Sequence, residues 1–201
     1  RHVPHDRDAE LHAPRERPSE RTRLQLALAP QRDHLVVVHA EANANAREAR
    51  VPGQPELLQL VAERIATGER FAALLAPRRP MAASVPQHLE LPASRFVGGE
   101  PVGDALARFA RFLLADDQVC CWGRFALDLL QAEGCELRLV VNLREAAARA
   151  LGRSPGGPEQ AACALASDGE PRRAWTAGRA GRRIAALGTI LDQILSPPAG
   201  G

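Results

Sequence analysis

A histidine and a glutamate two residues apart are the first side chains in the sequence that could do chemistry together. His39 and Glu41 follow the apolar run Leu35–Val38, which predicts a buried strand. Residues two apart on a strand point to the same face. With a third ligand from elsewhere in the chain, this pair could hold one softer metal ion such as Zn²⁺ or Mn²⁺. The simpler interpretation is a polar pair at the end of a strand.

A cluster of arginines near the C-terminus is the second candidate. Five arginines and no acidic residue lie between Arg172 and Arg183, interleaved with Trp175. Guanidinium groups match the geometry of phosphates, so the cluster could bind phosphate groups. The simpler interpretation is a solvated helix face, because all 26 basic residues of this chain are arginine.

The cysteines and the glycines argue against several classes of site. Cys120, Cys121, Cys135 and Cys163 contain no C-x-x-C pair, which leaves a zinc knuckle or a thioredoxin-like site unsupported. Adjacent Cys120 and Cys121 would point to opposite faces of a buried strand, and we expect reduced thiols. The absence of lysine excludes a P-loop, and the sequence has neither a dinucleotide-binding glycine motif after a strand nor a G-x-S-x-G elbow.

The composition predicts one globular domain and favours no partner by charge. The 201 residues are 45% hydrophobic and 25% charged, with a net charge of +2, which gives no argument for a polyanionic partner. No apolar run suits a membrane helix and no signal-peptide pattern opens the sequence, so we expect a cytoplasmic location and no membrane partner. Residues 1–32 are predicted to be a tail or linker, which could include a short helix and follow an upstream domain, and residues 197–201 a C-terminal tail.

Residues 33–196 are predicted to form an α/β domain. After the first strand comes a predicted loop over 43–55, and then two apolar runs around Thr67–Glu69 that predict a hairpin. Prolines make the stretch from 77 to about 100 irregular. Hydrophobic periodicity predicts the remaining elements, which are helices at 102–114, 125–132, 143–151, 158–166 and 180–195 and strands at 119–122 and 137–141. This order predicts a mixed sheet with a leading antiparallel hairpin, flanked by helices.

Five segments of the chain resemble the DEDD-type 3′–5′ exonucleases, which have a ribonuclease H-like fold. In that family the first strand leads into D-x-E, the hairpin ends in a proline, and a helix of the form F-D-x-x-x-L follows a later strand. The last helix begins with H-x-A-x-x-D-A. The resemblance covers residues 34–195, and the matching segments are Val36–Glu41, Ala62–Pro77, His88–Pro92, Gly123–Leu130 and Gly178–Ile184.

The resemblance implies a site in which four carboxylates hold two divalent cations and a histidine activates water. This chain retains one of the four carboxylates. The first Asp position falls on His39, the Glu is Glu41, the second Asp falls on Ala126, the His on Gly178 and the last Asp on Arg183. A guanidinium at a ligand position repels a metal ion, so we expect two-metal hydrolysis to be absent.

We therefore predict a catalytically degenerate exonuclease-like domain, a pseudoenzyme without a cofactor. It would act as a nucleic-acid-binding or protein-interaction module. In the nucleic-acid version, Arg179, Arg182 and Arg183 would make salt-dependent contacts with the phosphates of a single strand.

The alternative is an active exonuclease that depends on Mg²⁺ or Mn²⁺ and has an altered site. That site would use Glu41, His39 and Asp128 as metal ligands. A shift of two residues in the alignment would bring Asp128 to the second Asp position.

Overall fold

A five-stranded mixed sheet forms the centre of the computed structural model, which describes residues 19–43, 55–137, 140–166 and 170–196. The strand order is β3-β2-β1-β4-β5. β1 pairs antiparallel with β2, and β2 with β3, whereas β4 lies parallel to both β1 and β5. The predicted α/β fold with a leading hairpin is confirmed. The strands are β1 (Leu35–Asn43), β2 (Glu56–Arg64), β3 (Arg70–Leu74), β4 (Gln118–Cys121) and β5 (Val140–Asn142).

Helices cover both faces of the sheet. The predicted irregular stretch after β3 contains two short helices, and the longer helices fall close to their predicted limits. In chain order they are α1 (Glu20–Leu28), a 3₁₀ helix (Ala29–His34), α2 (Val85–Leu89), α3 (Ser94–Val97), α4 (Val102–Phe112), α5 (Phe125–Ala132), α6 (Leu143–Leu151), α7 (Pro158–Leu165) and α8 (Gly178–Leu195). None of the helices in the described part of the chain is long and apolar enough to cross a membrane.

Alternation along the strands divides the core into two layers. Val37 of β1 packs in the layer that contains α6, α7 and α8, whereas its neighbours Val36 and Val38 pack in the layer that contains α4 and α5. Side chains of successive strand residues point to opposite faces, and the two β4 cysteines obey the same rule. Cys120 lies in the first layer and Cys121 in the second, as predicted.

The described part of the predicted N-terminal tail is folded. Leu28 of α1 is buried in the same layer as α8. Arg21 and Gln25 donate hydrogen bonds to main-chain carbonyls in the last turns of α8. The folded region therefore begins before residue 33. The sequence of this nine-residue helix has little apolar periodicity and therefore predicts the helix only weakly. A helix of this length is not stable alone, and its contacts with α8 stabilise it.

β1 is longer than predicted, and this changes the setting of the His39–Glu41 pair. The strand runs to Asn43, two residues beyond the predicted end at Glu41, and is buried throughout, so the pair lies inside the sheet and not at a strand end. β5 covers Val140–Asn142, and residues 138–139 of the strand predicted at 137–141 lie outside the described residues. Residues 44–54 of the predicted loop, residues 1–18 and the C-terminal tail lie outside the described residues.

Candidate functional site

The side chains of His39 and Glu41 meet on the face of β1 that is turned toward α8. His39 Nε2 lies 3.0 Å from Glu41 Oε1, and it must donate this hydrogen bond if the carboxylate is ionised. The Glu41 side chain is only 1% exposed. The same-face arrangement predicted from the spacing is thus what the structure has. An isolated carboxylate at this depth would be costly, so its other partners decide what the site can do.

Arg179, at the start of α8, binds both oxygens of the Glu41 carboxylate. Its Nε donates to Oε1 at 2.8 Å, and its Nη2 donates to Oε2. Two parallel N–H···O bonds are the strongest geometry available to an arginine and a carboxylate. The guanidinium thus lies against the one carboxylate that the chain retains from the family pattern.

The electrostatics of this cluster, His39–Glu41–Arg179, follow from burial and pairing. Burial alone would raise the pKa of Glu41, but hydrogen bonds from Arg179 and His39 outweigh burial and lower the pKa to about 2. The hydrogen bond to Glu41 raises the pKa of Arg179 in turn. Glu41 is therefore ionised at neutral pH, and its charge is balanced by Arg179 without any bound ion.

Gln59 is a buried member of this region that the sequence analysis missed. It lies opposite Glu41 in the antiparallel β1–β2 ladder, next to a shift in register between Glu41 and Ala42. Its side-chain oxygen is buried and has no hydrogen-bond partner among the described residues. The available signal was a glutamine inside the apolar run Leu57–Ala62.

A glycine allows α8 to begin in close contact with the segment that ends α2, one residue before Arg179. Gly178 has φ +78°, and a Cβ at this position would lie 2.6 Å from the carbonyl oxygen of Leu89. No larger residue fits there without displacing main chain of the neighbouring segment. The position at which the resemblance puts the catalytic histidine is therefore occupied by a residue that close packing requires.

The other predicted site positions do not join the cluster. Ala126 is buried in the α4–α5 layer of the core. Asp128 has a side chain that is 57% exposed and lies 3.4 Å from Arg124, one turn away on α5. In the described parts of the chain, no three His, Cys, Asp or Glu side chains come together so as to hold a metal ion. The residues present do not fit a two-metal site, and the structure does not bring Asp128 to His39 and Glu41.

The guanidinium groups of the arginine cluster are paired with carboxylates. Each of its five guanidinium groups lies beside a carboxylate, and most of these carboxylates are far away in the sequence. Arg183, predicted at a lost ligand position, lies 3.6 Å from a carboxylate on α7 and not beside Glu41. The pairs are Arg172 with Glu63 and Asp192, Arg173 with Glu170, Arg179 with Glu41, Arg182 with Glu90 and Arg183 with Glu159.

Solved structures of nucleases share this fold. The chain resembles cell-death related nuclease 4 (CRN-4) with a TM-score of 0.61 at 14% identity, over 81% of this chain and 64% of CRN-4. It resembles the nuclease domain of 3′hExo, a DEDDh family member bound to rAMP, with a TM-score of 0.57 at 10% identity, over 81% of this chain and 90% of the 3′hExo chain. It also resembles exonuclease X in complex with 5′ overhanging duplex DNA, with a TM-score of 0.54 at 12% identity, over 80% of this chain and 90% of the exonuclease X chain.

These likenesses assign the fold. The domain has the ribonuclease H-like architecture of the DEDD-type exonucleases, as the sequence motifs implied. The chain spans less than two thirds of the length of CRN-4. No protein-family profile matches the sequence, and no curated protein matches it significantly.

Proposed function

We propose that this chain is an exonuclease-like domain that does not carry out two-metal hydrolysis and acts as a binding module. One observation carries the proposal. The guanidinium of Arg179 holds both oxygens of Glu41, the single carboxylate that remains from the family pattern. A residue of the protein therefore supplies the positive charge that a divalent ion supplies in a two-metal nuclease.

Electrostatics oppose entry of a metal ion. A divalent ion about 5 Å from the guanidinium would be repelled by about 7 kcal/mol at an effective dielectric constant of about 20. Among the carboxylate positions of the family pattern only Glu41 could offset this repulsion, since His39, Ala126 and Arg183 stand at the other three. A metal ion would also have to displace Arg179 from a carboxylate that is almost fully buried.

The same geometry favours a protein partner over nucleic acid at this face. Arg179, Arg182 and Arg183 each have a carboxylate beside them. A phosphate would have to compete with these carboxylates for the guanidinium groups. The proposed module therefore binds protein, and nucleic-acid binding becomes a distinct outcome of the tests.

A nuclease assay tests the loss of hydrolysis. End-labelled single-stranded DNA and RNA are incubated with the purified chain and Mg²⁺ or Mn²⁺, beside Glu41→Gln purified in parallel. We expect neither protein to shorten the labelled oligonucleotides. Shortening by the wild type that Glu41→Gln abolishes would overturn the proposal, whereas equal shortening by both would identify a contaminant.

Fluorescence anisotropy with the same oligonucleotides tests the kind of partner. We expect no binding at low salt. The matched variant is Arg182→Ala/Arg183→Ala, which changes two partly exposed side chains and leaves the Glu41 carboxylate paired. Binding that weakens as salt rises and is lost in this variant would favour the nucleic-acid version of the module.

A further inference from the structure

Just before α8 begins, residues 171–177 form a strap without regular secondary structure that lies along the helix. The main-chain N–H of Arg172 donates a hydrogen bond to Thr189 Oγ1 at 2.9 Å. At the other end of the strap, a Cβ on Gly181 would collide with the main-chain oxygen of Thr176. The strap therefore runs antiparallel to α8. The lengths agree, since four extended residues span about 13 Å and eight helical residues span about 12 Å.

Arg172 attaches the strap to two elements of the domain. Its Nε and Nη2 donate to the two carboxylate oxygens of Asp192 on α8, at 2.6 and 3.0 Å, and its Nη1 donates to Glu63 on β2 at 2.5 Å. Gly188 leaves the space for this side chain, because a Cβ there would lie 2.6 Å from Cδ of Arg172. In the described part of the chain, Arg172 makes every hydrogen bond between the strap and α8 or the sheet.

The rest of the strap is held weakly. Among the described residues, none of its main-chain groups bonds to main chain elsewhere. Trp175 packs against the core layer that contains α8, with the guanidinium of Arg70 5.2 Å from its ring centre, but its buried indole N–H meets no acceptor among the described residues. A cavity of about 410 Å³ is lined by Pro171 and Ala174 of the strap together with residues of α7 and α8. Few hydrogen bonds and loose packing mark segments that open locally, and a buried N–H without an acceptor disfavours the closed state.

We propose that the strap opens as a unit while the sheet and the helices stay folded, and that Arg172 locks it closed. The strap leads directly into Gly178 and Arg179. An open strap therefore also loosens the start of α8, where Arg179 binds the carboxylate of Glu41. The strap is in this way a device that regulates access to Glu41. Its opening does not depend on whether the domain binds protein or nucleic acid.

Fluorescence quenching by acrylamide tests the lock. The chain has two tryptophans, so Trp122→Phe leaves Trp175 as the only reporter, and the variants are made in this background. We expect Arg172→Ala to raise the quenching constant of Trp175 about twofold or more, toward its value in urea, with the far-UV circular dichroism unchanged. Arg173→Ala is the matched control, because Arg173 is 87% exposed and pairs with nearby Glu170. It should leave quenching unchanged, and equal quenching in the two arginine variants overturns the role of Arg172.

Hydrogen exchange of the wild type, followed by NMR, tests the opening without relying on a variant. The indole N–H of Trp175 and the amide of Arg172 should exchange at least about tenfold faster than the amide of Leu187 in the middle of α8, and with little dependence on urea. Exchange at the rate of Leu187, with the same urea dependence, means that the strap opens only by global unfolding and overturns the proposal.

The link to the cluster is tested by the Arg179 Nε–H, which donates to Glu41 Oε1. In Arg172→Ala this group should exchange with solvent several-fold faster than in the wild type, whereas in Arg173→Ala its rate should not change. An unchanged rate in Arg172→Ala, in which Trp175 is nevertheless quenched more strongly, overturns the regulation of access to Glu41.

Discussion

Replacing Arg179 by alanine should destabilise the domain in a way that depends on pH. The substitution removes the guanidinium that binds both oxygens of Glu41. It leaves the carboxylate buried beside His39 alone. Truncating one partner of a buried ion pair is costly because the other charge is left without compensation.

The magnitude follows from the pKa of Glu41. Its lowering from 4.5 to about 2 corresponds to about 3 kcal/mol of stability at neutral pH, at 1.36 kcal/mol per pKa unit. Because the pKa is lower in the folded state, this contribution is present above pH 4.5 and is lost as the pH falls toward 2. Without Arg179, only His39 remains to oppose burial, which raises the pKa of Glu41. We therefore expect a loss of about 3–5 kcal/mol at pH 7 and a smaller loss in acid.

Urea denaturation at pH 7 and at pH 4 measures both effects. Arg182→Ala is the matched control, because its pair with Glu90 is about half exposed on both sides and should contribute less than about 1 kcal/mol. Glu41→Gln/Arg179→Ala should be more stable at pH 7 than Arg179→Ala, since no buried charge remains. The reasoning is refuted if Arg179→Ala matches the wild type within about 1 kcal/mol at pH 7 and shows the same pH dependence.

Three further results are expected. Mg²⁺ or Mn²⁺ should leave the thermal midpoint unchanged, because only an ion that binds the native state stabilises it; a rise of several degrees in a thermal melt would contradict the proposed loss of the metal site. Gly99→Ala should cost about 2 kcal/mol or more, since its Cβ would lie 2.4 Å from the carbonyl carbon of Leu75, whereas Gly103→Ala, in open space on α4, should stabilise by about 0.5–1 kcal/mol in the same denaturation assay. A colorimetric thiol reagent should react quickly with exposed Cys163, and at most also with the partly buried Cys135. The two β4 cysteines, whose pKa values burial raises, should react only on unfolding. Fast reaction of more than two thiols in the folded state would contradict the described burial.

The parts of the fold that could be predicted are those with strong local patterns. The hairpin turn around Gly68, which has φ +70°, and the limits of α5 and α6 follow from glycine punctuation and apolar periodicity. The continuation of β1 past Glu41 to Asn43 could not be predicted in this way. Its polar residues interrupt the apolar run, and the strand continues because a partner 138 residues away in sequence satisfies Glu41.

The site was predicted only in part, because the sequence shows local spacing but not contacts between distant residues. The spacing of His39 and Glu41 placed them on one face, and the structure joins them by a hydrogen bond. The arginine that meets Glu41 is Arg179 and not Arg183, the position that the family pattern indicates. The two are four residues apart on α8, about one helical turn, so the pattern located the element but not the side chain.

A retained carboxylate is thus weak evidence for a retained metal site until its counter-charge is known. A buried glutamate needs a positive partner whatever its role, and a metal ion and a guanidinium fork both meet that need. The guanidinium group is part of the protein itself and can donate hydrogen bonds to both carboxylate oxygens. The same solution recurs on the sheet, where Arg172 pairs with Glu63 and Arg64 with Asp117. For Glu41 that need is met by one arginine at the start of α8.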